Sequence, residues 1–299
     1  MSTLGVVGTL RRRRGAGGWL AAPPMTAACG GPICVGPFKQ ETVMDHALER
    51  HAAVDTPHVR RVETMQPLVW LRHGYADLAQ SGRSSLAYGL YITAFGVMLL
   101  ALSWGATYLV PAFIGGFLLV APFVAIGLYA MSAQIERHER IDMARAMFAW
   151  RPNTGSIALF GLMLTLSLIL WERVAAIIFA LSYGGTVPDL SAVVQNVLFS
   201  GEYWPLLLAF FGVGAAFAVM VFTLSVVSAP LLLDRPVDAV TATITSMRCC
   251  LVNPGAMAVW AALIAGLVLI GFATLMLGMI VIFPWLAHAS WHAYRDLVE

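Results

Sequence analysis

The stretch CLVNPGAMAVW, Cys250 to Trp260, carries the decisive junction. Asn, Pro and Gly interrupt the chain where a mixed segment gives way to a long apolar run. Earlier the chain reads AWRPNTGSIALF, Ala149 to Phe160, with similar ingredients in similar order. Gly and Asn tolerate unusual backbone angles, and Pro blocks helix continuation. Such a corner suits a chain that lies along a bilayer surface and then turns to cross it.

The segment leading into each corner has helical spacing. Val240, Ile244, Met247 and Leu251 precede the later one, and Ile141, Ala144, Met147 and Phe148 the earlier. A looser third copy has Trp70, Leu71, Gly74, Tyr75 and Leu78 on an apolar face, with Arg72 and Asp77 expected opposite, before the corner SGRSS at 81–85. Pro67 suits the first turn of that helix. These are amphipathic helices of the kind that rest on a membrane surface. The expected architecture is a threefold repeat of surface helix, corner, span and returning span.

Beyond each corner the chain is apolar enough to cross. The chain of 299 residues is 59% hydrophobic and 11% charged, where a soluble domain has roughly 25% charged residues. No Asp, Glu, Lys or Arg occurs across 84–135, 203–233 or 249–294. At ~20 residues per crossing, these gaps and the run after Ser156 predict six spans, at about 86–104, 110–131, 156–180, 205–229, 255–273 and 276–292. Ser103-Trp104-Gly105 and Pro111 mark the turn expected between the first two. The third is one long tilted helix or a shorter span followed by an interfacial segment. Basic residues favour the cytoplasmic side. With both termini inside, 17 of the 18 Lys and Arg residues fall there; Arg173 is the exception. The fold class is therefore all-α, a polytopic helical membrane protein of about six transmembrane helices with amphipathic interfacial helices. Residues 1–58 read as a disordered extension and 59–299 as the membrane domain. RRRRGAGGW lacks an adequate apolar core for a signal, and Met44 is an alternative start.

Chemistry is sparse. His288 and His292 are four apart on one helix face, a spacing that can hold a metal or haem. With Trp291 and Tyr294 beside them, the expected role is instead an interfacial helix end at headgroup level. Glu172-Arg173 is the one charged pair inside an apolar run, a candidate intramembrane site or the outer end of a span with Arg173 snorkelling. The other spans lack carboxylates, which weighs against proton- or sodium-coupled transport. Arginines at 60, 61, 72, 83, 137, 140, 145, 151, 235 and 248 would ring the inner interface. Cys29, Cys34, Cys249 and Cys250 form no disulfide or zinc pattern and are expected as free thiols. No phosphate loop, HExxH or nucleophile elbow is present. The expectation is no catalytic residue, no metal and no cofactor.

The strings PLVWLRHGYADL (67–78), SLAYGL (85–90), VVSAPLLLDRPVDAVTATITSMRCCLVNPGAM (226–257) and PWLAHASWHAYRDLV (284–298) resemble the bacterial integral-membrane proteins of domain-of-unknown-function family 2189. PLLLDRPVD and HASWHAYRDL are the most specific, and the resemblance extends over about 59–299. It implies a multi-span protein of the bacterial inner membrane and no known activity. The function expected is non-enzymatic: a membrane scaffold or an accessory to an envelope or transport process. Membrane lipids, other membrane proteins or further copies of the chain are the expected partners, and nucleic acid is not. A permease or channel for a small neutral or lipidic solute is one alternative; a haem or metal protein using His288 and His292 is the other.

Overall fold

The computed structural model describes residues 57–102, 110–182 and 204–299. The extension up to residue 56, the turn expected at 103–105 and the outer loop 184–203 lie outside them. Residues Val54–Glu299 form one compact unit. Its helices are α1 Gln66–Ser81, α2 Arg83–Leu102, α3 Val110–Glu136, α4 Met143–Met147, α5 Thr154–Ser182, α6 Trp204–Ser225, α7 Ser228–Asp234, α8 Ala239–Val252, α9 Pro254–Ala273 and α10 Met279–Leu297. A β-bridge between Val59 and Val298 ties the start of the described chain to its end. Pro111, expected in a turn, instead opens α3, where its missing N–H costs no helical hydrogen bond.

Among the described residues, three helical stretches are long and apolar enough to cross a membrane: Met143–Ile178, Trp204–Asp234 and Pro254–Ala273. The expected spans at 86–104 and 110–131 coincide with the long helices α2 and α3, and the one at 276–292 with α10, which does not meet that measure. In α10 the cause is visible, because His288, Ser290, His292, Arg295 and Asp296 dilute its apolar character. A helix enclosed by protein needs no lipid-compatible surface, and α10 is enclosed nearly all round. The third span is one continuous helix, α5, of 29 residues.

The core gathers on α10. Trp70, Trp260, Trp291 and Tyr294 are fully enclosed there, and Trp70 meets Trp260 edge-on at 5.7 Å between ring centroids. Small residues allow the close approach. A Cβ on Gly74 would lie 2.5 Å from the Ala289 amide nitrogen, and one on Gly89 would strike the Ile280 carbonyl. At about 100° per residue, Trp70, His73 and Asp77 share one flank of α1, Leu71 and Tyr75 the other, and Gly74 lies between. The first flank meets α10 at His292 and Asp296, through Asp77 and Trp70. The second meets it at Trp285, which donates to the Leu71 carbonyl at 2.8 Å and packs on Tyr75. Opposite flanks of α1 thus touch α10 at Trp285 and, two turns on, at His292.

The corners form as the residue types demand. Gly82 ends α1 at φ 47°, and its amide bonds to Leu78. Arg151–Asn153 make one 3₁₀ turn before α5. Asn253 ends α8 and begins α9, with Pro254 next. On two of these surface elements the large apolar residues face outward. On α8 the apolar residues Val240, Met247 and Leu251 are 59%, 40% and 76% exposed, while Ala242, Thr245, Ser246 and Cys249 pack inward. On the five-residue α4, Met147 and Phe148 are half exposed and Ala146 is the buried contact. Backbones approach most closely over small side chains, so the small face is drawn in and the large one left outside. Cys249 and Cys250 are free thiols.

Candidate functional site

Four helices meet at one buried polar cluster. His288 of α10 is fully enclosed, and so is Ser85 of α2; Ser132 of α3 is 1% exposed and Asp77 of α1 is 7% exposed. The Ser132 hydroxyl donates to Asp77 Oδ2 at 2.6 Å and lies 2.7 Å from His288 Nδ1. Ser85 Oγ lies 2.8 Å from His288 Nε2 and 2.6 Å from Ser81 Oγ. The one hydrogen of Ser81 goes either to Ser85 or to the Asp77 carbonyl, 2.7 Å away. At the rim His292 Nε2 is 2.9 Å from Asp77 Oδ2, and the His73 ring packs against His292 at 5.2 Å.

The proton inventory gives this chain a direction. A serine hydroxyl has one hydrogen, and with Asp77 ionised that of Ser132 goes to the carboxylate. Ser132 must then accept from His288 Nδ1–H. The Nε2 lone pair is left to accept from Ser85, so the imidazole is the neutral Nδ1–H tautomer, assigned from its partners. Each of these groups is satisfied by protein. A buried polar group without a partner costs about 1–3 kcal/mol, so the network specifies how α1, α2, α3 and α10 fit together.

This arrangement corrects two sequence expectations. Asp77 does not lie opposite the apolar face of α1; it stands seven residues after Trp70 and therefore on the same face, where it is buried. His288 does not project outward toward headgroups; like Trp291 and Tyr294 it is enclosed by protein. Nor do the two histidines share a ligand position, since both ring nitrogens of His288 face serines while His292 faces Asp77. No group of three His, Cys, Asp or Glu residues that could hold a metal occurs among the described residues. Glu172 and Arg173 lie together on α5, Glu172 half-buried and Arg173 exposed, away from the cluster. Beside them Trp171 packs on Phe210 and Phe217 of α6.

Sequence reading missed Ser81, Ser85 and Ser132. Serines in an apolar run resemble small packing residues, and only the seven-residue spacing of Trp70 and Asp77 offered a hint.

Much of the arginine ring is paired. Arg60 meets Glu299 at 3.3 Å, Arg137 meets Asp234 at 3.7 Å, and Arg145 meets Glu139 at 3.2 Å. Arg295 bridges Glu136 at 2.9 Å and Asp234 at 3.7 Å. Two cavities flank α10. A groove of about 590 Å³ runs between the end of α3 and α4, with Arg137, Arg145 and Arg151 on its walls. An apolar cleft of about 230 Å³ opens between α3 and α9, floored by Met279, Phe283 and Ala287.

Residues 109–234 match the model of the family described as "Predicted integral membrane protein (DUF2189)". The expected resemblance holds over that segment, which spans α3 to α7; the strings at 67–78, 85–90 and 284–298 lie outside it, and the one at 226–257 overlaps it only up to Asp234. The protein is an integral membrane protein with apolar helices. No curated protein and no solved structure is significantly similar to the chain.

Proposed function

We propose that this chain is a non-enzymatic scaffold or accessory protein of the bacterial inner membrane, crossing it six times with both termini cytoplasmic. Its helices divide into three units of surface element, corner and two long helices: α1–α3, α4–α6, and α8–α10 with α7 leading in. Two contacts support the repeat. The Asn153 amide, in the second corner, donates to the carbonyls of Leu232 and Val237, the lead into the third unit. The Asn253 amide, in the third corner, donates to the Arg60 carbonyl and accepts from Val62 N–H, the lead into the first. Asp142 and Asp238 also cap their surface helices in the same way. The first corner has Gly82 instead of Asn, which is why that copy matches less closely.

The observation that carries the function is the outward face of α8. Val240, Met247 and Leu251 expose a row of large apolar side chains on a helix with no length to cross. Water disfavours such a surface by about 25 cal/mol per Å², and the bilayer interface accepts it. With the polar cluster enclosed, the accessible chemistry of the protein is this lipid-seeking rim. A polarity-sensitive dye on Leu251→Cys, in vesicles of brominated lipid, tests the placement. Quenching at headgroup depth is expected, and an unquenched, water-exposed dye refutes it. Turnover of a defined substrate by purified protein would refute the non-enzymatic role.

A second reading, a permease for a lipidic solute, draws on the apolar cleft between α3 and α9. Flux of such a solute into reconstituted vesicles, abolished by Ala287→Trp, is its signature.

A further inference from the structure

The three units differ in how their surface helices cover the helix beneath. In the first, α1 has 16 residues and seals onto α10 through Gly74. In the third, α8 has 14 residues. In the second, α4 has only five, and beside it the 590 Å³ groove stays open along Ala130 and Ala133 of α3.

Charge at this groove is unbalanced. Three guanidiniums line it, Arg137, Arg145 and Arg151, against two carboxylates, Glu139 and Asp234. Arg137 and Arg145 are paired with those two acids. Arg151 stacks on the Phe148 ring at 4.3 Å and has no carboxylate in ion-pair contact among the described residues. One positive charge is therefore left at the mouth. Around it, Met147, Phe148 and Trp150 are each at least 39% exposed. Leu159, the first of a row of outward leucines on α5, stands five residues above Thr154, about 7.5 Å along the helix. A guanidinium with an aromatic rim, at the foot of an apolar wall, has the chemistry that recognises a phosphodiester on a hydrocarbon tail.

We propose that this groove binds one anionic phospholipid, its phosphate on Arg151 and Arg145 and its acyl chains along the outward leucines of α5. The site rests on the reading of residues 143–153 as a membrane-surface element. It goes beyond that reading in naming a saturable place, a lipid class and the residues that select it. Arg145 can turn from Glu139 to the phosphate, since both partners are exposed and their pairing is weak.

The test uses the full chain in neutral detergent and three probes: short-chain phosphatidylglycerol, short-chain phosphatidylcholine and inorganic phosphate, with binding followed by native mass spectrometry and calorimetry. One saturable phosphatidylglycerol is expected, with phosphatidylcholine and phosphate each much weaker. Arg145→Gln/Arg151→Gln should weaken it about thirtyfold, the effect of two surface arginines on an anionic lipid. Arg151→Lys should retain most binding, and both variants should unfold at the wild-type midpoint, because the polar cluster is untouched. Equal binding of the two lipids, phosphate binding as tight as the lipid's, or no loss in the double variant overturns the site. If the Leu251→Cys dye still reports headgroup depth, the surface placement stands while the site falls.

Discussion

Replacing Ser132 by Ala should harm this protein more than replacing His288 by Leu, although the first change is far smaller. His288→Leu removes two hydrogen bonds, at 2.7 and 2.8 Å. It leaves no orphan among the serines, because Ser132 still donates to Asp77 and Ser85 still meets Ser81. At a net ~1 kcal/mol per bond, with side-chain volume nearly conserved, the loss is about 2 kcal/mol. Ser132→Ala also removes two bonds, but it strands the Nδ1–H of a fully enclosed His288 and takes a donor from the Asp77 carboxylate. Orphaned buried groups cost about 1–3 kcal/mol each, and more when charged, so the loss is about 3–5 kcal/mol. In the double variant the imidazole is gone and its orphan with it. The double variant should therefore be less damaged than the two single losses added together, by about 1–2 kcal/mol. Reversible unfolding in mixed micelles, followed by tryptophan fluorescence, measures all three. Equal or reversed single effects, or strict additivity, would falsify the assignment of a directed chain from His288 through Ser132 to Asp77.

Other variants test the packing and the corners. Gly74→Ala places a methyl 2.5 Å from the Ala289 backbone, and neither backbone can yield, so it should destabilise by about 1–3 kcal/mol. Gly266→Ala, where a Cβ meets nothing within 4 Å, should be neutral or stabilise by up to about 1 kcal/mol; thermal unfolding compares the two. Asn253→Ala strips the Val62 amide of its acceptor and should cost about 1–3 kcal/mol, with hydrogen exchange at Val62 accelerated. Asp238 is held below the usual carboxylate range, first by the Thr241 hydroxyl and then by backbone N–H groups of α8. A depressed acid stabilises the fold above its unfolded value, near 4, and that contribution fades as pH falls through the lower folded value. Asp238→Asn keeps the cap acceptor without the charge, so the drop in unfolding midpoint between pH 6 and pH 3 should be smaller in the variant than in the wild type.

Local signals led to the corners. Gly82, Asn153 and Asn253 interrupt helices because of what Gly, Asn and Pro permit within a few residues of backbone, and those rules act wherever the chain is placed. The apolar periodicity of α8 was equally legible, but the packing of Ala242, Thr245, Ser246 and Cys249 against the rest of the protein was not. A helix with one large apolar face and one face of Ala, Thr, Ser and Cys can bury either, depending on whether its outer solvent is water or lipid. For Asp77 the miss was arithmetic as much as physical, since a residue two turns beyond Trp70 must share its face.

Residue order alone dictates that the chain is helical and built for a membrane, where it turns, and that its surface helices carry apolar stripes. Those properties are sums over neighbouring residues, and the hydrophobic effect and backbone sterics need no distant partner to act. The meeting of Asp77, Ser85, Ser132 and His288, and the groove beside the short α4, arise only when the helices assemble. Residues as far apart as 203 positions along the chain come within 2.8 Å there. A hydrogen bond has value only when its partner arrives, and that depends on Gly74 and Gly89 letting α1 and α2 close on α10.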